Sequence, residues 1–344
     1  MAPASIRDVA ALAGVSVGTV SNVLNRSDRV SPGVTSRVHD AMRELGYVRN
    51  DAARHLRSGR SKSIGLIVLD VRNPFFTDLA RGAEIAAARH GLSVLVGNSD
   101  SDRGREQTYL DLFQEQRVLG ILLSPAGGVD TRIEQLGRSR TPVVLVDQQS
   151  AGDLVSSVSV DDVAGGGMAA AHLLEGGRRR FVYVGGPVRI RQVADRIRGA
   201  RMAVRRTAGT SFEVIETIEN NVFEGRRIGE AILARGRSER PDAIIAANDL
   251  LALGLLQALV MAGAQLVPDE IALIGYDDIE FAASAIVPLS SIRQPSQLIG
   301  ETAIELLLEI TEGDGAQPRS VVFQPELVVR ESSTSADAAT APRR

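Results

Sequence analysis

The sequence predicts an α/β protein: a three-helix module at the N-terminus, then a larger core built from two parallel-sheet subdomains. Three observations carry this. Short helical stripes separated by Gly, Ser and Pro fill the first 46 residues. From residue 63 onward, apolar runs of strand length alternate with stretches of helical spacing. Charge divides at the same place: residues 1–62 hold ten Lys+Arg against five Asp+Glu, net +5, while the remainder holds 29 against 37, net -8, in a chain of net charge -3.

In the first module, Ile6, Val9, Ala10 and Ala13 follow the i, i+3, i+4, i+7 pattern of a helix with one apolar face. Gly14 suits the left-handed turn that ends it, and Ser16 offers a hydroxyl to cap the next helix. In that second helix Val20, Val23 and Leu24 point inward, while Gly18, Ser21, Asn22 and Asn25 share a small, hydrogen-bonding face. A third helix is capped by Ser31, started by Pro32 and striped by Val34, Val38, Ala41, Met42 and Leu45 before Gly46. Spacing alone fits both a helix-turn-helix DNA reader and an ordinary three-helix bundle. The local cationic surplus favours the reader, because neutralised phosphates supply most sequence-independent affinity for DNA.

The segments DVAALAGVSVGTVSNVLN, VSPGVTSRV and GYVRNDAARHLRSG together resemble the headpiece and hinge of the LacI/GalR family of bacterial transcription repressors, and the likeness continues less densely to about residue 330. The resemblance implies a helix-turn-helix headpiece over 1–48, a hinge over 49–62 and a two-lobed periplasmic-binding-protein-like core over 63–330. It implies a homodimer on a palindromic double-stranded DNA operator, controlled by a small-molecule effector. Val17, Gly18 and Asn22 take positions that read base edges; Ser16, Thr19, Ser21, Asn25 and Ser31 take phosphate-contacting ones. Gly18 has no side chain and Val17 only an apolar one, which leaves hydrogen-bonded readout mainly to Asn22. Val34 departs from the threonine more usual there. In the hinge, Asn50 can cap a helix running to Ser58, too short to hold alone in water. In the family it folds when paired on DNA: the leucine matching Leu56 wedges into the minor groove, and Ala53 lets the two hinges approach.

In the core, SIGLIVLD, SVLVGN, GILLS, PVVLVD, FVYVGG, DAIIAAND and ALIGYDD read as buried parallel strands. Some 280 residues exceed one ordinary sheet, hence two subdomains. The resemblance puts the N-subdomain at about 63–161 and 292–323 and the C-subdomain at about 162–290 and 324–330, with chain crossings near 161, 291 and 323. Open α/β sheets bind ligands beyond the carboxyl ends of their strands. Those ends carry Asp70, Asn73, Asn98, Asp147, Asn248, Asp249, Asp277 and Asp278, a set suited to a polyhydroxylated ligand. Likeness to pentose-binding proteins and sugar-responsive repressors singles out Asn73, Phe75, Phe76, Asp147, Arg196, Phe223, Asn248, Asp277 and Gln294 as effector-binding. Gln148 stands where ribose binders often carry an arginine, which argues against ribose itself. Duller roles compete: Asp249 and Asp278 as helix caps, Arg196 as the partner of Asp195 or Asp161, one or both phenylalanines as core.

Other chemistries fail on inventory. There are no cysteines, and His39, His55, His90 and His172 fall in no metal-ligand spacing, so neither a metal nor a cofactor is expected. AGGGMAA and GGP are glycine clusters for turns and close helix packing rather than nucleotide loops, and GVSVG lies in a turn between helices. An enzyme is not expected. With neither a signal peptide nor 18 consecutive apolar residues, the expectation is a cytoplasmic, nucleoid-associated protein with no membrane partner. Residues 331–344 read as a disordered tail without leucine heptads, hence a dimer. The alternatives are a repressor with a purine-type corepressor and, from another class, a solute-binding receptor for sugar transport.

Overall fold

The structure, a computed structural model, describes residues 4–47, 61–127, 141–150, 155–263, 266–313 and 317–334. Ala53, Leu56 and the tail beyond 334 lie outside those residues. The chain divides into two units, Met1–Arg60 and Ser61–Arg344.

In the first unit α1 (Ile6–Ala13) begins with a capping box: Asp8 N–H donates to the Ser5 hydroxyl, and the Asp8 carboxylate accepts from Ser5 N–H at 2.8 Å. Gly14 ends it at φ +65°, and a Cβ there would meet nothing within 4 Å, so backbone conformation rather than space selects glycine. α2 (Val17–Asn25) is capped by Ser16, whose hydroxyl accepts from Thr19 N–H at 3.0 Å. α3 (Pro32–Glu44) corrects one expectation: Ser31 has the cap backbone, but its side chain makes no capping bond. Pro32 has no N–H to satisfy, and the amides of Val34 and Thr35 both reach the Ser31 carbonyl at 3.0 Å. Val9, Val20 and Val38, fully buried, close the core with Ala10, Ala13, Val23 and Ala41.

The second unit holds two six-stranded sheets. The first contains β1 (Ser63–Val68), β2 (Ser93–Asn98), β3 (Ile121–Leu123), β4 (Val143–Val146), β5 (Ser156–Val160) and β11 (Ser320–Phe323), in the order β11-β5-β4-β3-β1-β2, all parallel. The second contains β6 (Arg180–Val184), β7 (Ser211–Ile215), β8 (Ala243–Ala246), β9 (Ala272–Asp277), β10 (Ser290–Arg293) and β12 (Glu326–Val328), in the order β12-β10-β9-β8-β6-β7. Only β12 runs antiparallel to its neighbour. The chain changes sheets after β5, after β10 and after β11, so three connections join the lobes.

Helices cover the sheets in pairs that share one packing device. α6 (Asp162–Glu175) crosses α7 (Arg191–Arg205) so closely that a Cβ on Gly166 would overlap the backbone oxygen of Arg196, and one on Gly199 that of Val163. The same reciprocal glycines join α4 (Pro74–Arg89) to α11 (Ser296–Glu312), through Gly82 and Gly300, and α8 (Val222–Leu233) to α9 (Asp249–Ala262), through Gly225 and Gly254. The glycines of AGGGMAA thus serve helix packing. Between α6 and α7 the contact fixes where α7 presents its side chains.

The tail expectation needs correction at its start. Ser332 is fully buried; its N–H donates to the Pro288 carbonyl at 2.9 Å, and its hydroxyl donates to the Leu273 carbonyl at 2.7 Å. The Ser333 hydroxyl meets Ser290 at 2.7 Å and His172 Nε2 at 2.8 Å. The Ser332 hydroxyl satisfies backbone groups of the paired strands β9 and β10, at Leu273 and Ser290, that an apolar residue would leave bare, which composition does not reveal.

Gly199→Ala should cost about 1–3 kcal/mol, the range for overpacking a close contact. Urea denaturation would show it as a lower midpoint with the slope unchanged. A cost near zero would mean that the α6–α7 crossing is not tight.

Candidate functional site

Two surfaces carry the candidate residues, one in each unit. In the N-terminal unit, α2 exposes Val17, Gly18 and Asn22, with Val17 42% accessible. A Cβ on Gly18 would meet only the Ser16 hydroxyl, at 3.6 Å, so the face is open there for want of a side chain. The Ser16 and Thr19 hydroxyls bond each other at 2.9 Å at the start of this helix, which fixes both. Ser21 is half-buried, Asn25 is the last residue of α2, and Ser31 is exposed before α3. The face is small, polar and uncharged, with the exposed arginines 26 and 29 just beyond it.

In the second unit a cavity of about 270 Å³ lies at the carboxyl ends of both sheets. Asn73 caps α4, accepting from Phe75 N–H at 3.1 Å, and its amide donates across the lobes to Asp277 at 2.8 Å. Asp277, the last residue of β9 at φ +106°, accepts a second bond from Gln294 at 2.8 Å. Asp147 follows β4 at φ +60° and accepts from the Gln192 amide of the other lobe at 2.8 Å. Positive φ is uncommon for aspartate; at these two strand ends it turns carboxylates into the cavity. Phe75 and Phe76 meet edge-on with centroids 5.0 Å apart, and both line the wall while remaining nearly buried.

Arg196 organises the floor. Its Nε donates to Asp162 at 2.7 Å, its Nη1 to the Ala247 carbonyl at 2.7 Å, and its guanidinium lies 3.6 Å from the centroid of the Tyr276 ring. Its partner is therefore Asp162, neither Asp195 nor Asp161. Burial works against the Arg196 charge, but Asp162, Tyr276, Asp277 and Asp147 hold its pKa well above the ordinary value. Burial likewise pushes Asp147 well up, with Asp162 and Asp277 adding to the shift and Arg196 opposing it. Asp277 is pushed up to about 6 by burial, against Arg196 and the bonds from Asn73 and Gln294. Asp147 Oδ1 and Gln192 Oε1 are buried and have no hydrogen-bond partner among the described residues.

Several sequence expectations end elsewhere. Phe223, in the first turn of α8, is 84% exposed and does not line the cavity. Gln294 does not line it either; it acts through Asp277. Asn248, not Asp249, caps α9, accepting from Leu251 N–H at 2.9 Å. Asp249 is fully buried and accepts from the Ser291 hydroxyl at 2.7 Å and Ile279 N–H at 2.8 Å. Asp278 caps nothing: it pairs with Arg293 at 2.8 Å and Arg330 at 2.7 Å. Sequence reasoning missed Gln192, although it stands four residues before Arg196, on the same face of α7. It also missed Arg72, which reaches Asp70, Asp100 and Glu219 at the mouth. Among the described residues, no group of His, Cys, Asp and Glu is placed to hold a metal, and no helix is long and apolar enough to cross a membrane.

Two family descriptions match the chain: bacterial regulatory proteins of the lacI family over residues 5–50, and a periplasmic binding protein-like domain over 170–333. The ribose operon repressor of Bacillus subtilis is 36% identical over 307 residues, 89% of this chain and 91% of that protein. The transcriptional repressor PurR of Aliivibrio fischeri is 32% identical, covering 96% of this chain and 98% of that one. Among solved structures, the lac repressor dimer bound to operator and the anti-inducer ONPF superposes with TM-score 0.79 at 26% identity, over 97% of this chain and 100% of that one. A complex of the regulator CelR with cellobiose gives TM-score 0.70 at 30% identity, over 96% and 99%.

The Asp277 shift sets a pH dependence. Its folded pKa of about 6 lies above the ordinary 3.8, so the folded state binds the proton more tightly. Stability from this group is fully present below about pH 4 and lost as pH rises through about 6. The shift of about two units corresponds to about 3 kcal/mol. Thermal melts from pH 4 to 7 should therefore show the stability of Asp277→Asn, relative to the unmodified chain, rising with pH; a constant difference would refute the assignment.

Proposed function

The chain belongs to the lacI family of bacterial regulatory proteins, which are ligand-responsive DNA-binding repressors, and on that premise we propose that its effector is a sugar or sugar-like molecule held in the cavity between the two sheets. The observation that carries this is the cavity itself: the Asp147, Asp277 and Arg196 side chains beneath the Phe75–Phe76 pair. Sugar hydroxyls donate and accept at once, so they suit a wall of carboxylates and amides, while the aromatic edges cover the apolar face of a ring. Asn73 and Asn248 complete the effector set. The relatives support the reading, since one is a ribose operon repressor and a structural neighbour is a cellobiose complex.

The same proposal makes the chain a homodimer on a palindromic operator, acting in the cytoplasm at the nucleoid and turning over no substrate. Val17, Gly18 and Asn22 face the bases, and Ser16, Thr19, Ser21, Asn25 and Ser31 face the phosphates. Ala53 and Leu56 belong to the hinge of this scheme. The open, uncharged α2 face supports the assignment, because short hydroxyl and amide groups set register on the duplex without themselves encoding sequence. The effector then shifts DNA binding only by its unequal affinity for two arrangements of the lobes.

A thermal-shift screen against pentoses, hexoses, polyols and purines tests the effector reading. A sugar should raise the melting temperature with ln(1 + [L]/Kd), whereas stabilisation by purines alone would overturn it. Asp147→Asn, which exchanges an acceptor for a donor, should weaken that sugar about 10- to 100-fold in titration calorimetry. For DNA, Asn22→Ala should lower affinity for the selected operator by about 1–3 kcal/mol and leave binding to random duplex near its original level. Equal losses on both would assign Asn22 to the backbone instead.

A further inference from the structure

The charge and the unfilled hydrogen-bonding capacity of the cavity narrow the effector further than its family does. Six carboxylates line it against three guanidinium groups. Even with Asp147 and Asp277 carrying protons, the acids outnumber the bases. Two of the three cations are already engaged: Arg196 by Asp162 at 2.7 Å, and Arg72 by Asp70 at 2.9 Å, with Asp100 and Glu219 beyond. The third, Arg189, donates to the Ser101 carbonyl at 3.3 Å, between Asp100 and Asp102 in the chain. Arg189 is the lining cation without a carboxylate contact among the described residues, and it faces the three mouth carboxylates Asp100, Asp102 and Glu219.

The hydrogen-bonding count points the same way. The buried lining atoms without a partner among the described residues are Asp147 Oδ1 and Gln192 Oε1. Gln192 Nε2 is committed to Asp147 Oδ2, which fixes the amide so that its oxygen is the free end. Asn73 and Asn248 each have one amide N–H bound, to Asp277 and to the Asn220 carbonyl. Gln192 Oε1 is an acceptor whether or not Asp147 carries a proton, and a buried acceptor left unpaired is costly, so the occupant must bring a donor to it.

We infer that the cavity takes an unphosphorylated ligand presenting hydroxyl or ammonium donors to Asp147 and Gln192, and that the acidic mouth formed by Asp100, Asp102 and Glu219 rejects the phosphorylated form of the same sugar. This rests on the sugar reading above and adds its charge class. A phosphate brings only negative charge and acceptors near pH 7, where the cavity already has both in excess, and like charges brought together disfavour binding strongly.

Calorimetry on the full chain with matched pairs tests it: ribose against ribose 5-phosphate, glucose against glucose 6-phosphate, and glucosamine as the ammonium arm. The expected result is that at least one uncharged or amino sugar binds and its phosphate binds about 100-fold more weakly or not at all, with the gap widening at low salt. Removing two mouth charges, Asp100→Asn with Glu219→Gln, should narrow that gap about tenfold. A phosphate that binds as well as its parent overturns the inference and leaves the sugar reading standing, as does a gap that the double substitution does not change. No binding by either member of any pair overturns both.

Discussion

The site depends on one buried guanidinium. Asp147, Asp162 and Asp277 are all nearly excluded from water around Arg196. An isolated buried carboxylate is so unfavourable that it takes up a proton instead. Arg196 opposes this: it pairs directly with Asp162 and works, through its field, against the rise in the other two. Its own charge is secured by stacking on Tyr276 and by the Ala247 carbonyl, so it has little freedom to leave. Removing it would strand three acids, a far larger disturbance than losing one ligand contact.

That guanidinium must be delivered to its place, and backbone packing does so. Arg196 lies at the α6–α7 crossing, where its own backbone oxygen occupies the space a side chain on Gly166 would need. Asp162 begins the partner helix. The glycine contact therefore sets the separation of the two helices that carry the two ends of the ion pair. Gln192, one turn earlier on α7, is placed by the same constraint and reaches Asp147 of the other lobe. Packing and recognition here share the same few residues.

How much of this the sequence disclosed depends on whether each signal was local. The strands with unbroken apolar runs were legible, from SIGLIV to ALIGYD, because burial on both faces leaves no alternative composition; SVLVGN, expected to be buried as well, is instead the edge strand β2, with Leu95 and Val96 exposed. β5, with sequence SSVSV, was not: its serines are buried, and two of them are satisfied from outside the strand, Ser157 by Ser320 at 3.0 Å and Ser156 by the Arg319 amide at 3.0 Å. Asn248 and Asp249 are adjacent and chemically equivalent as caps. Which one caps is decided by Ser291 and Ile279, 42 and 30 residues away, which claim Asp249. Phe223 carried a family position but no local reason to turn inward. Gln192 carried the reverse, an i to i+4 relation to Arg196 that patterning alone could have exposed.

The bonds between the lobes also bear on how an effector acts. Asn73 to Asp277 and Gln192 to Asp147 each join a residue of the first lobe to one of the second. A ligand that displaced the carboxylates from these amides would have to break these bonds, and would gain little by closing the lobes. A ligand that instead donates to Asp147 Oδ1 and Gln192 Oε1 adds to the bridge without dismantling it, and it finds the two acceptors adjacent only while the lobes are together. A hydrogen bond to a neutral group such as the Gln192 amide is worth about 0.5–1.5 kcal/mol and one to a charged carboxylate about 1.5–3 kcal/mol. Two such contacts present in one arrangement and absent from the other would therefore favour it by about 30- to 2000-fold, a differential that shifts a moderately biased two-state equilibrium.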